Sequence, residues 1–194
     1  MDSGLSLCAG FFKAHGHGND YLVFQEGPGW PVTPASVREV CHRQRGPGGD
    51  GIVALMSSVT DESLGSNSGE SPEAVPFRLR MFNPDGSEFE RSGNGLRVLG
   101  AYLFAEGRVE MGRPFPVEVG GDRVEMVILS QDEEEVLDVA VDMGRVQFGV
   151  AAVGGKAEMF GARTTLTAPG EAPLPVQPVS VGNPHCVAFR DRLD

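Results

Sequence analysis

Phe82-Asn83-Pro84-Asp85-Gly86-Ser87-Glu88-Phe89-Glu90-Arg91-Ser92-Gly93-Asn94-Gly95-Leu96-Arg97 decides how this chain folds, because it carries a strand into a turn and the turn into a helix. Before it, Phe77, Leu79 and Met81 alternate with Arg78 and Arg80, the period of two that marks a half-buried strand. Pro84 sets φ for the second position of a β-turn and Asp85-Gly86 tolerate positive φ, so the chain reverses there. From Leu96 the apolar positions become Leu96, Leu99, Gly100 and Leu103, the i, i+3, i+4, i+7 face of a helix, and Gly107 is its natural stop. Ser92-Gly93-Asn94-Gly95 therefore falls at the mouth of that helix. Unpaired N–H groups and the positive dipole end favour an anion at such a place, and two glycines let one approach the backbone. Ser is also a common N-cap, and on these residues alone an ordinary capped turn is the simpler reading.

Working outward, Phe11-Phe12-Lys13 starts a strand, Gly16-His17-Gly18-Asn19-Asp20 makes a loop, and Tyr21-Leu22-Val23-Phe24 is a second strand. Asn19 brings an amide that both donates and accepts, although a turn Asn needs no function; His15 and His17 are loop residues. Thr33-Pro34 reads as N-cap and first residue of a short helix with Val37, Val40 and Cys41 on its buried face, ending near Arg45-Gly46. Cys41 is expected in the core. Gly46-Pro47-Gly48-Gly49-Asp50-Gly51 is a tight loop before the apolar strand Ile52–Met56. Ser57–Pro76, rich in Ser, Gly, Glu and Pro, reads as an exposed connection.

Beyond the helix, Gly107–Pro116 reads as a linker, which sets a boundary between domains at 1–113 and 114–194. Pro116–Val119, Arg123–Leu129 and Val136–Gly144 are short β-rich runs of a mostly antiparallel second unit. The acidic run Asp132–Glu135 is expected as a solvated turn rather than a metal site, and Ala151–Pro175 gives no clear signal. In Val179-Ser180-Val181-Gly182-Asn183-Pro184-His185-Cys186-Val187, Asn-Pro-His is by itself a turn with a lone histidine, and Cys186 is expected on the opposite face, in the core.

A chain of 194 residues with 40% apolar residues can bury a core, as one large or two small domains. A net charge of −11 argues against nucleic acid as a partner, because phosphate binding needs a basic surface. Cys8, Cys41 and Cys186 are odd in number, widely spaced, and lack Cys-x-x-Cys or zinc-ligand spacing, so a reducing cytoplasm is the expected compartment and no metal is implied. Met1–Gly10 has neither the basic residues nor the apolar run of a secretory signal, Leu5-Ser6-Leu7-Cys8 is not a convincing lipid-attachment site, and the chain does not read as a membrane protein.

Arg80–Glu88 followed by Gly93-Asn94-Gly95-Leu96-Arg97 resembles the signature of the diaminopimelate epimerases, cofactor-independent amino-acid epimerases. Gly16-His17-Gly18-Asn19-Asp20 resembles the family's opening motif, and Gly182-Asn183-Pro184-His185 a later one. The resemblance implies an α+β fold of two similar domains, each a curved mixed sheet around a central helix, with the active site in the cleft between them. It implies an isomerase of lysine and peptidoglycan-precursor biosynthesis that interconverts LL- and meso-diaminopimelate without a cofactor. Asn19, Asn83, Gly93, Asn94 and Asn183 would bind substrate, and His185 would lie beside the catalytic centre. Ser92 stands where the family has one of two thiols that face the α-carbon from opposite sides. The second thiol segment falls beyond Asp194 in family members, so the second domain is expected to be incomplete in this chain, with uncovered strand edges that allow a homodimer.

Inverting an α-carbon without a cofactor needs a base on one face and an acid on the other. Thiols suit the task, with a reference pKa of about 8.5 that a helix N-terminus lowers; a serine hydroxyl is a far weaker acid. His185 could take the proton of Ser92, as in other activated nucleophiles. A serine hydrolase ranks low, because Arg91-Ser92-Gly93 lacks the Gly-x-Ser-x-Gly elbow. The main alternative is a homologue that keeps the pocket without turnover and acts as a binding module.

Overall fold

The computed structural model describes residues 10–27, 30–56, 75–155, 164–167, 169–170 and 172–190. Most of the expected connection Ser57–Pro76, and the N-terminal segment with Cys8, lie outside the described residues. The chain forms two compact units, Met1–Asp142 and Met143–Asp194.

The first unit contains β1 (Phe12–Gly16), β2 (Asn19–Gln25), α1 (Pro34–Cys41), β3 (Gly51–Leu55), β4 (Phe77–Phe82), β5 (Glu88–Phe89), α2 (Gly93–Ala105), β6 (Phe115–Val119), β7 (Asp122–Gln131) and β8 (Leu137–Val141). Its strands make one mixed sheet in the order β1-β2-β3-β4-β6-β7-β8, with β5 paired to β4. β2 runs parallel to β3 and β4 parallel to β6, and the helices α1 and α2 lie in the two connections that parallel pairing demands.

β1 and β2 are joined by His17 and Gly18 alone, with φ of 55° and 86°. Two positive φ values give the turn whose twist matches a hairpin. His15 Nδ1 accepts the Gly18 N–H at 3.4 Å, a partner the sequence did not suggest.

α2 packs on β1, β2, β3, β7 and β8, strands from both ends of the sheet order, so the sheet curls around this helix. That is the curved mixed sheet around a central helix expected for an α+β fold. Leu96, Leu99 and Leu103 are fully buried along it. The helix ends in a Schellman motif: the Arg108 N–H reaches the Leu103 carbonyl at 2.8 Å, the Gly107 N–H reaches Phe104 at 3.0 Å, and Gly107 has φ of 66°.

On the other face α1 covers Leu22, Phe24, Ile52, Ala54 and Phe82 with Val37 and Cys41, and Trp30 stacks on Phe24. β3 is therefore buried on both faces, which is why its sequence is apolar throughout instead of alternating. Thr33 caps α1 through a reciprocal box with Ser36, as its sequence suggests. α1 stops at Cys41, earlier than Arg45-Gly46, because residues 42–46 form a separate turn closed by Gly46 N–H on the His42 carbonyl.

The division expected at 113/114 falls instead at 142/143. The Gly107–Pro116 stretch is the end of the α2 crossover, and β6 returns to pair with β4 inside the first sheet.

The second unit holds β9 (Gln147–Phe148), a 3-10 turn at Val150–Val153, β10 (Thr164–Leu166), β11 (Leu174–Ser180) and β12 (Pro184–Val187). β11 pairs antiparallel with each of the other three strands. Cys186 is exposed, not in the core; among the described residues β12 pairs with β11 alone, and the face that carries Cys186 is not covered. Among the described residues no helix is long and apolar enough to cross a membrane.

Candidate active site

Strand directions bring several of the expected residues together. β2 and β3 start, and β4 ends, at the same end of the sheet, since Tyr21 pairs with Gly51 and Ile52 with Phe82. Asn19 opens β2, Asp50 precedes β3 and Asn83 follows β4, so all three stand at that end. The N-terminus of α2 arrives there as well: a Cβ on Gly95 would lie 3.1 Å from Met81 and 3.3 Å from Tyr21.

Ser92 is the N-cap of α2, as expected, with its Oγ accepting the Gly95 N–H at 3.2 Å and its carbonyl the Leu96 N–H at 2.9 Å. The Gly93 and Asn94 N–H groups precede the first intrahelical bond, at the positive end of the helix. The Ser92 N–H donates to the Met81 thioether at 3.2 Å, which ties the cap to the core of β4.

Asn94 and Asn19 meet directly, Asn94 Nδ2 donating to Asn19 Oδ1 at 3.4 Å. Asn19 in turn donates to Asp50 Oδ2 at 3.1 Å, and Arg97 donates to Asn94 Oδ1 at 3.3 Å. A Cβ on Gly16 would lie 3.2 Å from Asn94 Oδ1, so a larger residue at this end of the β1–β2 hairpin would press the Asn94 side chain back by a few tenths of an ångström. Asn83 is exposed and donates through Nδ2 to Ser87 Oγ at 3.0 Å within its own turn.

Behind Asn19 lies a charged group that sequence reading missed. Arg43 bonds Asp20 at 2.7 Å and Asp50 at 2.7 Å, Lys13 bonds Asp20 at 3.1 Å, and Asp50 Oδ2 also accepts the Asp20 N–H at 3.1 Å. The Arg43 guanidinium holds the Asp20 carboxyl well below the usual carboxylate range. The two carboxylates raise Arg43 in return. Asp50 sits in a glycine-rich loop that reads as a tight turn, and Arg43 is drawn to it only by the fold. Burial, and then the charge of Asp20, push the Cys41 thiol up to about 11, in keeping with a core role.

In the second unit Asn183 lies in the turn between β11 and β12, and His185 Nε2 is 2.9 Å from Asn183 Oδ1. The sequence joins these two residues in one motif, and the hairpin joins them in space. A cleft of about 450 Å³, lined in part by Phe77, Arg108, Arg113 and Phe115, opens at the opposite end of β4 and holds none of the expected residues. Among the described residues no cluster of His, Cys, Asp and Glu is arranged to hold a metal.

Comparison with known proteins gives these motifs a context. The chain is 36% identical over 188 residues to diaminopimelate epimerase 2 of Nostoc sp., covering 95% of this chain and 59% of that protein. It is 34% identical to the diaminopimelate epimerase of Desulforudis audaxviator, covering 95% and 61%. The chain thus spans about three fifths of the length of these relatives. Among solved structures it resembles a probable proline racemase from Agrobacterium radiobacter at a TM-score of 0.63 and 14% identity, covering 93% of this chain and 51% of that one. A hydroxyproline epimerase from Agrobacterium vitis, solved with trans-4-hydroxy-L-proline bound, gives a TM-score of 0.60 at 15% identity, covering 93% and 51%. At such identities these two likenesses speak for the fold. The profile of the diaminopimelate epimerases matches residues 11–149, from the first strand of the sheet through both helices to β9, and the chain belongs to that family.

Proposed function

We propose that the chain supplies the site of an amino-acid epimerase that interconverts LL- and meso-diaminopimelate by two-base proton transfer at the α-carbon. Asn19, Asn83, Gly93, Asn94 and Asn183 hold the zwitterion, and Ser92, at a proton-transfer position, and His185 are the catalytic residues. The observation that carries this is the mouth of α2, where the Ser92 cap opens the helix and the side-chain amides of Asn94 and Asn19 meet. Removing the α-proton leaves an electron pair that delocalises into the carboxylate, and donors placed there stabilise the charge as it develops. A second acid then delivers a proton to the opposite face.

Ser92 is a poor base for the first step. The Gly95 N–H on its Oγ would help an alkoxide, but a hydroxyl starts far above the thiol value of about 8.5. In heavy water with LL-diaminopimelate, the chain is expected to show slow α-deuterium uptake by NMR, and Ser92→Cys to raise the rate on the order of 100-fold. Equal rates for the two proteins would remove Ser92 from the proton-transfer position.

A further inference from the structure

The site contains a hydrogen-bonded relay whose direction is fixed at both ends. Asp50 is a carboxylate and can only accept; Arg97 is a guanidinium and can only donate. Between them Asn19 Nδ2 gives to Asp50 Oδ2 at 3.1 Å, Asn94 Nδ2 gives to Asn19 Oδ1 at 3.4 Å, and Arg97 gives to Asn94 Oδ1 at 3.3 Å. Turning over the Asn19 amide would set its oxygen against the Asp50 carboxylate. Turning over the Asn94 amide would set its NH2 against the guanidinium. Turning both over keeps the contact between the amides but loses both ends, so only one combination of orientations satisfies every contact. Asp50 is itself anchored, through Oδ1 on Arg43 at 2.7 Å and through Oδ2 on the Asp20 N–H at 3.1 Å.

We propose that Asp50 and Arg97 are positioning residues that orient the Asn19 and Asn94 amides, so that each keeps an N–H to offer the carboxylate of an amino acid at the mouth of α2. This rests on the epimerase reading of the same site. Each amide oxygen already takes one donor inside the relay, while each NH2 has given one of its two hydrogens. Those remaining hydrogens join the backbone N–H groups of Gly93 and Asn94, a set suited to a carboxylate and unsuited to an ammonium group.

The test uses the 15N-labelled chain titrated with meso-diaminopimelate. Arg97→Met keeps the aliphatic stem and removes the donor; Arg97→Lys keeps a donor; Asp50→Ala removes the acceptor at the other end. Arg97→Met and Asp50→Ala are expected to move the side-chain NH2 resonances of both asparagines while the backbone spectrum of α2 stays folded, and to weaken binding about tenfold. Arg97→Lys is expected to stay within about threefold of wild type. NH2 resonances unmoved by Arg97→Met, or a lysine variant as weak as the methionine one, would overturn the inference. Wild-type protein that binds no meso-diaminopimelate sinks the epimerase reading instead, and the NH2 resonances then decide alone: moved they uphold the relay, unmoved they overturn it.

Discussion

Asp20 shows how one side chain makes stability depend on pH. Its folded-state pKa lies below the ordinary value of 3.8, so its ion pairs contribute fully above that value and are lost as pH falls from there toward the depressed one. Asp20→Asn is therefore expected to cost about 1–2 kcal/mol at pH 7 and progressively less below pH 4, read from urea midpoints at several pH values. The two described cysteines should also part company. Cys41 is buried with its thiol pushed up to about 11, whereas Cys186 is exposed, so at pH 8 iodoacetamide should label Cys186 at least about 100-fold faster, as peptide mapping would show. Equal labelling would mean that the α1 face opens readily. Legibility at this scale followed distance along the chain. Ser92 was readable as an N-cap because its bond to Gly95 spans three residues. The bond of Asn19 to Asp50 spans 31, and no local pattern announces it. Cys186 was misplaced because alternation along a strand tells which residues share a face and not whether that face is covered.

Among the elements, α2 was the clearest in sequence, since its apolar period follows from packing one stripe against a curled sheet. Leu99, fully buried on that stripe, should cost about 2–5 kcal/mol when changed to Ala, measured by denaturant unfolding. A loss below about 1 kcal/mol would mean the helix is not the centre of this core. β5 escaped notice because two residues cannot display a period. β6, β7 and β8 were seen as strands but assigned to the wrong unit: alternation identifies a strand and is silent on its partner, and the parallel pairing of β6 with β4, which carries β7 and β8 into the same sheet, is set by the α2 crossover.

For the molecule as a whole, the division at 142/143 was not legible, because a Gly- and Pro-containing crossover and an interdomain linker look alike in composition. The second unit leaves Phe148 64% and Phe189 84% exposed. Large apolar side chains left in water favour association, so sedimentation of the chain is expected to depend on concentration, and Phe189→Asp to weaken that dependence. A monomer at every concentration would show that these side chains are tolerated singly. The wrapping of α2 by strands from both ends of the sheet bears, finally, on time. A helix enclosed in this way cannot detach without dismantling the sheet, so the amides of its central turns should exchange with solvent only through global unfolding. A ligand of the proposed site at its first turn would then find the Gly93 and Asn94 N–H groups already in place, with little ordering left to be done on binding.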